Sequence, residues 1–247
     1  MQAIEICVEN TDGLIAAQNA GADRVELCAS LLEGGLTPGI GMVIEALRLA
    51  KVPFYAMVRP RGGDFLYSEI EFQSMIEDIK AFRELGVPGV VVGCLLPDGV
   101  IDEDRMRALV EAARPMAVTC HRAFDMTRDH VEAIEALVRA GVDRVLTSGR
   151  HSTAMEGLQV LAETVAAARG RIVVMACGEL DAHNIAHVLD RTCAPEAHFA
   201  ALESQPSAMT FRNPLIGMGK TELEREYTNT VTSEVAVRAT IAAARNR

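Results

Sequence analysis

The chain has 247 residues, 49% of them apolar, and 34 acidic against 24 basic side chains give it a formal net charge of −10 at pH 7. That apolar fraction provides for a packed core and excludes a disordered chain, while the longest stretch without a charged residue, 85–97, falls short of the about 20 residues of a membrane span. Because the chain is acidic and has only three lysines, we expect neither nucleic acid nor a membrane among its partners.

Eight segments of the chain have the composition of β-strands, and helical patterns lie between them. The clearest helical pattern brings Phe72, Met75, Ile76, Ile79 and Phe82 onto one helix face. The predicted strands are residues 3–9, 24–29, 54–60, 89–95, 116–124, 144–148, 172–177 and 197–201. This alternation predicts an α/β fold, a single-domain (βα)8 barrel of the TIM type, which ordinarily has about 250 residues. The alternative is an open doubly wound sheet, but no GxGxxG motif or P-loop follows the first strand.

A weak internal repeat supports the barrel. The segments AGADRV at 20–25, LGVPGV at 85–90 and AGVDRV at 140–145 each resemble the end of a helix, a glycine cap and the start of a strand. Each interval between them has room for two βα units of about 30 residues. Residues 203–227 depart from this rhythm, and we predict a long polar loop there, followed by a last helix over 231–244.

Side-chain alternation predicts which residues of each strand face the barrel interior, because the apolar outward set must pack against the helices. The inward set contains Glu5, Cys7, Glu9, Glu26, Cys28, Tyr55, Met57, Arg59, Thr119 and His121. A polar cluster falls at the carboxyl ends of the strands, where TIM-barrel active sites lie: Glu26, Cys28, Arg59, Arg61, His121, Arg122, Asp125, Thr147 and Ser148. The alternative for any one inward glutamate is a buried ion pair with an arginine such as Arg59.

Two loops at this rim carry candidate binding functions. RPRGGDF at 59–65 places Arg59 and Arg61 beside two glycines, which suits recognition of an anion. Alternatively, both arginines pair with nearby acidic residues on the surface. LEGGLTP at 32–38, after the second strand, is a candidate lid with glycine hinges, or else an ordinary turn before a helix.

A histidine and two carboxylates are candidates for acid–base chemistry. His121 and Asp125 lie in the motif CHRAFD at a strand end, and Glu26 lies at the end of the second strand. Further candidate ligand contacts are Arg122, Thr147 and Ser148. A single inward histidine is, however, more often a hydrogen-bonded core residue.

The six cysteines include no CxxC pair, which excludes a zinc finger or a thioredoxin-type motif. The N-terminus lacks the basic start and apolar run of a signal peptide, so we expect reduced thiols in the cytoplasm. Cys7 and Cys28 point inward from neighbouring strands about 4.8 Å apart, close enough to share a Cu(I) or Zn ion. Against this, inward residues of neighbouring barrel strands alternate in layers, and buried cysteines are common packing residues.

Six motifs closely resemble those of the CutC family and occur in the family's order and spacing. They are ELCAS (26–30), EGGLTPG (33–39), RPRGGDFLYS (59–68), HRAFDM (121–126), RVLTSG (144–149) and FRN (211–213). The resemblance extends from the first strand to about Tyr227. It implies a cytoplasmic (βα)8-type barrel, a homodimer or higher homo-oligomer, that is associated with copper homeostasis. It also implies that Cys7 and Cys28 occupy the positions of the family's proposed Cu(I) ligands.

Two segments depart from the family's pattern. Residues 176–179 (ACGE) stand where the family has a glycine-rich segment after the seventh strand, and residues 198–202 (HFAAL) lack the small residues that are usual after the histidine of the eighth strand. Both changes count against an anion site at that part of the rim. Two functions therefore remain open at this point. One is copper handling through Cu(I) binding, and the other is acid–base catalysis on a small anionic metabolite.

Overall fold

The computed structural model describes residues 3–218 and 223–246, in which eight parallel strands close into one barrel. The strands are β1 (Ala3–Val8), β2 (Arg24–Leu27), β3 (Phe54–Met57), β4 (Gly89–Val92), β5 (Ala117–Cys120), β6 (Arg144–Thr147), β7 (Val173–Ala176) and β8 (Glu196–Phe199). Each strand pairs with the next, and β8 pairs with β1 to close the barrel, with Glu5 opposite His198. The predicted (βα)8 barrel is confirmed.

A helix follows every strand in chain order. The helices are α1 (Thr11–Ala20), α2 (Ile40–Leu49), α3 (Glu69–Glu84), α4 (Glu103–Ala113), α5 (His130–Ala140), α6 (Leu158–Ala168), α7 (Ile185–Thr192) and α8 (Glu234–Arg245). Gly21 and Gly141 of the internal repeat end α1 and α5 with φ of 97° and 80°, a left-handed conformation that glycine adopts without a steric penalty. None of the helices within the described ranges is both long and apolar enough to cross a bilayer.

The two faces of the strands contribute to different clusters. Ile6 and Leu27 are fully buried and belong to the large core that also contains the helix residues Leu14 and Met75. The inward faces form a smaller cluster of Cys7, Cys28, Tyr55, Met57 and Val91 inside the barrel. Because side chains alternate along a strand, the outward residues pack against the helices, and the inward residues are available to form a site.

Several strands are shorter at their carboxyl ends than predicted. The predicted strand 116–124, for example, is observed as Ala117–Cys120, and a 3-10 turn, Arg122–Met126, follows it. At the rim the backbone no longer pairs with the neighbouring strands and begins a loop. Side chains just beyond the strand ends, such as Cys28 and His121, are still buried. Glu9 lies beyond the end of β1 and lines a separate groove, so its predicted place inside the barrel is wrong.

The polar segment before the last helix is not a plain loop. It contains two exposed antiparallel strands, β9 (Leu202–Pro206) and β10 (Thr228–Thr232). The last helix begins at Glu234 rather than at Val231, because the side chain of Ser233 accepts a hydrogen bond from the Ala236 amide as its N-cap. Residues 219–222 of the predicted loop lie outside the described residues.

Candidate functional site

A cavity of about 520 Å³ opens at the carboxyl ends of the barrel strands. Of the predicted site residues, those that line it are Cys7, Glu26, Arg59, His121, Arg122 and Asp125. Its volume falls within the range of about 300–1,000 Å³ that is usual for small-molecule sites. Cys28, Thr147 and Ser148 are fully buried behind the lining side chains.

Two thiols meet at the base of this cavity. The Sγ atoms of Cys7 and Cys28 are 3.7 Å apart, and Cys28 Sγ lies 3.4 Å from Oε2 of Glu26. The contact with Cys28 and burial raise the pKa of Cys7 well above its ordinary value. The contact with Cys7 lowers the pKa of Cys28, but burial and the nearby Glu26 carboxylate outweigh this effect and raise it to about 12. Both groups are therefore neutral thiols at pH 7 when no cation is bound.

The carboxylate of Glu26 lines the cavity and is only partly hydrogen-bonded. It is 2% exposed, and its Oε1 atom has no hydrogen-bond partner among the described residues. Burial raises the pKa of Glu26, while the charge of His198 opposes the shift. An unpaired buried oxygen is costly, so this atom is available to a ligand at the site.

His198 completes the cluster from β8, and sequence reasoning did not select it. Its Nδ1 atom lies 2.8 Å from Oε1 of Glu5, and its Nε2 atom lies 3.8 Å from Oε2 of Glu26. Burial opposes protonation of His198, but Glu26 and Glu5 outweigh this and raise its pKa. The one available signal was the inward position of residue 198 on the last predicted strand, which closes the barrel against Glu5 of the first.

Among the described residues, one group of at least three ligand-type side chains could hold a metal ion, and it comprises Cys7, Glu26 and His198. One ligand atom from each lies within 4.8 Å of the other two, and all three residues are buried. Cys28 adds a second sulfur beside Cys7. The group thus combines thiol, imidazole and carboxylate donors.

A layer of ion pairs fills the barrel beneath this cluster. Arg24 donates to both Glu5 and Glu196, and Arg144 Nε lies 2.8 Å from Oε2 of Glu196. The Tyr55 ring lies near both cations, with its centroid 5.0 Å from the Arg24 guanidinium and 5.5 Å from that of Arg144. Burial opposes ionisation of Glu5, but His198 and Arg24 outweigh it and lower the pKa of Glu5 to about 2. Glu5 is therefore an ionised carboxylate, and it hydrogen-bonds to His198 from the layer beneath the cluster.

The predicted anion clamp of two arginines is not assembled. The Arg59 guanidinium donates to the carbonyl oxygens of Glu33, Gly35 and Gly63, so it holds the loop over residues 32–38 against the rim. Arg61 lies outside the cavity lining and pairs with the carboxylates of Glu71 and Asp64 instead. The alternative interpretation, in which an arginine of this loop pairs with nearby acids, describes Arg61.

His121 is neutral and stacks in the cavity wall. Its Nδ1 atom accepts a hydrogen bond from the Ala123 amide, and its ring lies 4.8 Å from the Phe65 ring. Burial and the charge of Arg59 lower the pKa of His121 to about 3. Its Nε2 atom therefore carries the proton and is buried without a partner among the described residues. A Cβ atom at Gly93 would collide with this ring, which explains the glycine there.

Asp125 is occupied by structural hydrogen bonds. Its carboxylate accepts from Thr147 Oγ1 at 2.5 Å, from the amide and hydroxyl of Ser148 and from the Arg150 amide. Arg122 Nε also donates to it at 2.8 Å. These contacts tie the turn after β5 to the loop after β6. The structure thus brings Asp125, Thr147 and Ser148 together as a loop clamp, which leaves little capacity for proton transfer by the carboxylate.

Residues of the segments 176–179 and 198–202 line the cavity. Cys177, Gly178 and Glu179 contribute from the first segment, and His198 and Leu202 lie in the second. Glu179 adds an acidic residue to this part of the rim, which disfavours an anion beside it.

The family model for CutC matches residues 2–203 of the chain. A CutC family protein of Mesorhizobium japonicum is 62% identical over 98% of this chain and 94% of its own length. A human relative named copper homeostasis protein cutC homolog is 41% identical over 98% of this chain and 89% of its own length.

Solved structures agree with these relatives. The crystal structure of a protein named CutC from Streptococcus agalactiae superposes with a TM-score of 0.77 at 32% identity, covering 81% of this chain and 98% of that one. A phosphoribosylanthranilate isomerase from Pyrococcus furiosus has a TM-score of 0.60 at 13% identity, with both chains covered in full, and is similar in fold alone. The match over residues 2–203, together with relatives of this identity and coverage, shows that the chain belongs to the CutC family.

Proposed function

We propose that this protein binds Cu(I) through Cys7 and Cys28 and acts in copper homeostasis in the cytoplasm. The observation that carries the proposal is the 3.7 Å separation of two buried Sγ atoms from neighbouring strands. Thiolate sulfur is a preferred ligand of Cu(I), and a buried site keeps water away from a soft ion. The human relative's name refers to copper homeostasis, which favours the same metal.

The proposal requires a reducing compartment. The Sγ atoms of Cys7 and Cys28 are 3.7 Å apart, and an oxidising environment favours a disulfide between such neighbours. A reducing compartment such as the cytoplasm keeps both thiols available to Cu(I).

Anaerobic titration against a chromophoric Cu(I) chelator tests the proposal. We expect the wild-type chain to retain one equivalent of Cu(I) in competition, because two thiolates share the ion. We expect the double variant Cys7→Ser with Cys28→Ser to lose the ion to the chelator. The matched control is Cys193→Ser, since Cys193 is an exposed thiol outside the cavity. Unchanged affinity in the double variant would show that the cysteine assignment is wrong.

A second candidate function is acid–base chemistry on a small anionic metabolite. The cavity of about 520 Å³ favours it, together with the unpartnered Glu26 Oε1 and His121 Nε2 atoms on its wall. Arg122 is the half-exposed guanidinium that lines the same cavity, so it is the cation that an anion could reach.

A thermal-shift screen with small carboxylates and phosphate monoesters tests this second function. We expect a true ligand to raise the melting temperature of the wild type and of Arg61→Ala, because Arg61 lies outside the cavity. The same ligand is expected to leave the melting temperature of Arg122→Ala unchanged. A screen without any stabilising compound, or one in which both variants respond alike, contradicts an anion site at Arg122.

A further inference from the structure

In the group of Cys7, Glu26 and His198, the histidine lies on the side opposite the second strand. It is 8% exposed, and it stands beside Glu5 because β8 and β1 are adjacent where the barrel closes. One of its ring nitrogens lies within 4.8 Å of both Cys7 Sγ and a Glu26 oxygen. The imidazole is therefore within reach of any ion held between the two sulfurs.

The hydrogen bond to Glu5 uses Nδ1 of His198 and leaves Nε2 as the nitrogen available to a metal. An ionised carboxylate only accepts hydrogen bonds, so the 2.8 Å contact with Glu5 Oε1 places a proton on Nδ1 of His198. In the neutral ring, Nε2 is then left with a free lone pair. That atom is 3.8 Å from Glu26 Oε2, which is too long for a hydrogen bond, so this neighbour does not occupy the lone pair.

Glu5 is itself held in place. It is fully buried, and its other oxygen accepts a hydrogen bond from Nε of Arg24, whose guanidinium also contacts Glu196. A histidine that binds a metal through one nitrogen commonly donates from the other to a carboxylate, which sets the tautomer and the orientation of the ring. The Glu5–His198 pair has this arrangement before any ion is present.

We propose that His198, through Nε2, is a third ligand of the metal at Cys7 and Cys28, and that Glu5 is its positioning residue. This inference rests on the proposed Cu(I) function and extends its ligand set from two sulfurs to two sulfurs and a nitrogen. The three ligands come from the neighbouring strands β8 and β1 and from the end of β2, so they surround one point at the closure of the barrel.

Glu26 is excluded from the Cu(I) ligand set on chemical grounds. Its carboxylate belongs to the same group of ligand atoms within 4.8 Å of one another, but carboxylate oxygens suit harder ions, whereas thiolate and imidazole suit copper. Coordination by sulfur and nitrogen without oxygen is therefore the specific expectation for Cu(I).

X-ray absorption at the copper edge tests the ligand set directly on the full wild-type chain. We expect two sulfur neighbours and one nitrogen neighbour, with the outer-shell scattering that an imidazole ring produces. This measurement needs no substitution, so it stands even if a variant folds poorly. A spectrum with sulfur neighbours alone, or with oxygen in place of the imidazole, would overturn the role of His198.

Substitutions separate a ligand from a structural residue. We expect His198→Ala to lose the imidazole scattering and to bind Cu(I) at least about tenfold more weakly, with Glu5→Gln keeping the scattering at an affinity reduced by about tenfold. The control is His183→Ala, because His183 is exposed outside the cavity. Circular dichroism of each variant verifies the fold. An unchanged affinity and spectrum in His198→Ala contradict the inference.

The two proposals fail in different ways. Cysteine-dependent Cu(I) binding with a sulfur-only spectrum overturns the role of His198 and leaves the proposed function in place. A wild-type chain that retains no Cu(I) against the chelator overturns both.

Discussion

Replacing Arg24 with methionine is expected to lower the free energy of unfolding by about 3–5 kcal/mol at pH 7, because it leaves buried carboxylates without their cation. Glu5 is fully buried and Glu196 is 9% exposed, and the Arg24 guanidinium contacts both. Arg144 still reaches Glu196 in the variant, so Glu5 carries most of the loss. Urea denaturation followed by circular dichroism measures the change.

An exposed ion pair provides the control for this substitution. Arg48 pairs with Glu45 on α2, and the two side chains are 70% and 52% exposed. Because solvent screens such a pair, we expect Arg48→Met to change the free energy of unfolding by no more than about 0.5 kcal/mol. If Arg24→Met costs no more than Arg48→Met, the buried layer does not stabilise the fold as described.

The loss in Arg24→Met is expected to depend on pH. In the wild type the pKa of Glu5 is lowered to about 2, below its value in the unfolded chain. A lowered pKa gives stability that is present above the unfolded pKa and is lost as the pH falls toward the folded one. Without Arg24 the pKa of Glu5 rises, so the variant loses less on acidification. The difference between the two proteins should therefore be smaller at pH 4 than at pH 7.

Replacing Asp125 with alanine is expected to cost about 2–4 kcal/mol, because several buried donors lose their acceptor at once. The Ser148 and Arg150 amides and the Thr147 hydroxyl all donate to this carboxylate. We expect a smaller loss for Asp125→Asn, which keeps one acceptor oxygen. Chemical denaturation of both variants measures the two effects.

The control is Asp104→Ala, whose side chain is 96% exposed at the start of α4 and pairs with Arg107 across solvent. We expect this change to alter stability by no more than about 0.5 kcal/mol. Should Asp125→Ala prove as stable as the wild type, the clamp would be unimportant, and an acid–base role for Asp125 would again be the better hypothesis.

The barrel itself was predictable because its signals are local. Alternation in the first two strands separates Ile6 and Leu27 from Cys7, and the repeated glycines mark the ends of helices. The antiparallel pair of β9 and β10 gave no such signal, because the residues of β9 are exposed and neither face of this strand has a continuous apolar row. Sequence patterns detect burial far better than they detect an exposed strand pair.

The site was predictable only where its residues share a local motif. Cys7 and Cys28 stand in two Glu-x-Cys segments and could be paired from strand adjacency, and the structure places them 3.7 Å apart. The sequence left two interpretations of Arg61 open and could not decide between them, because its partner Glu71 lies on the following helix. His198 was missed because its neighbours come from the other end of the chain, so only its inward place on the last predicted strand marked it.

The contact between Glu5 and His198 joins residues 193 positions apart, across the seam that closes the barrel. A chain emerging from the ribosome therefore exposes both sulfur atoms well before the imidazole of His198, because most of the barrel lies between them in the sequence. Until the last barrel strand docks, the proposed site has its thiols and the carboxylate of Glu26 but lacks the imidazole of His198. The two sulfurs and the imidazole that we propose as metal ligands come together only when the barrel is closed.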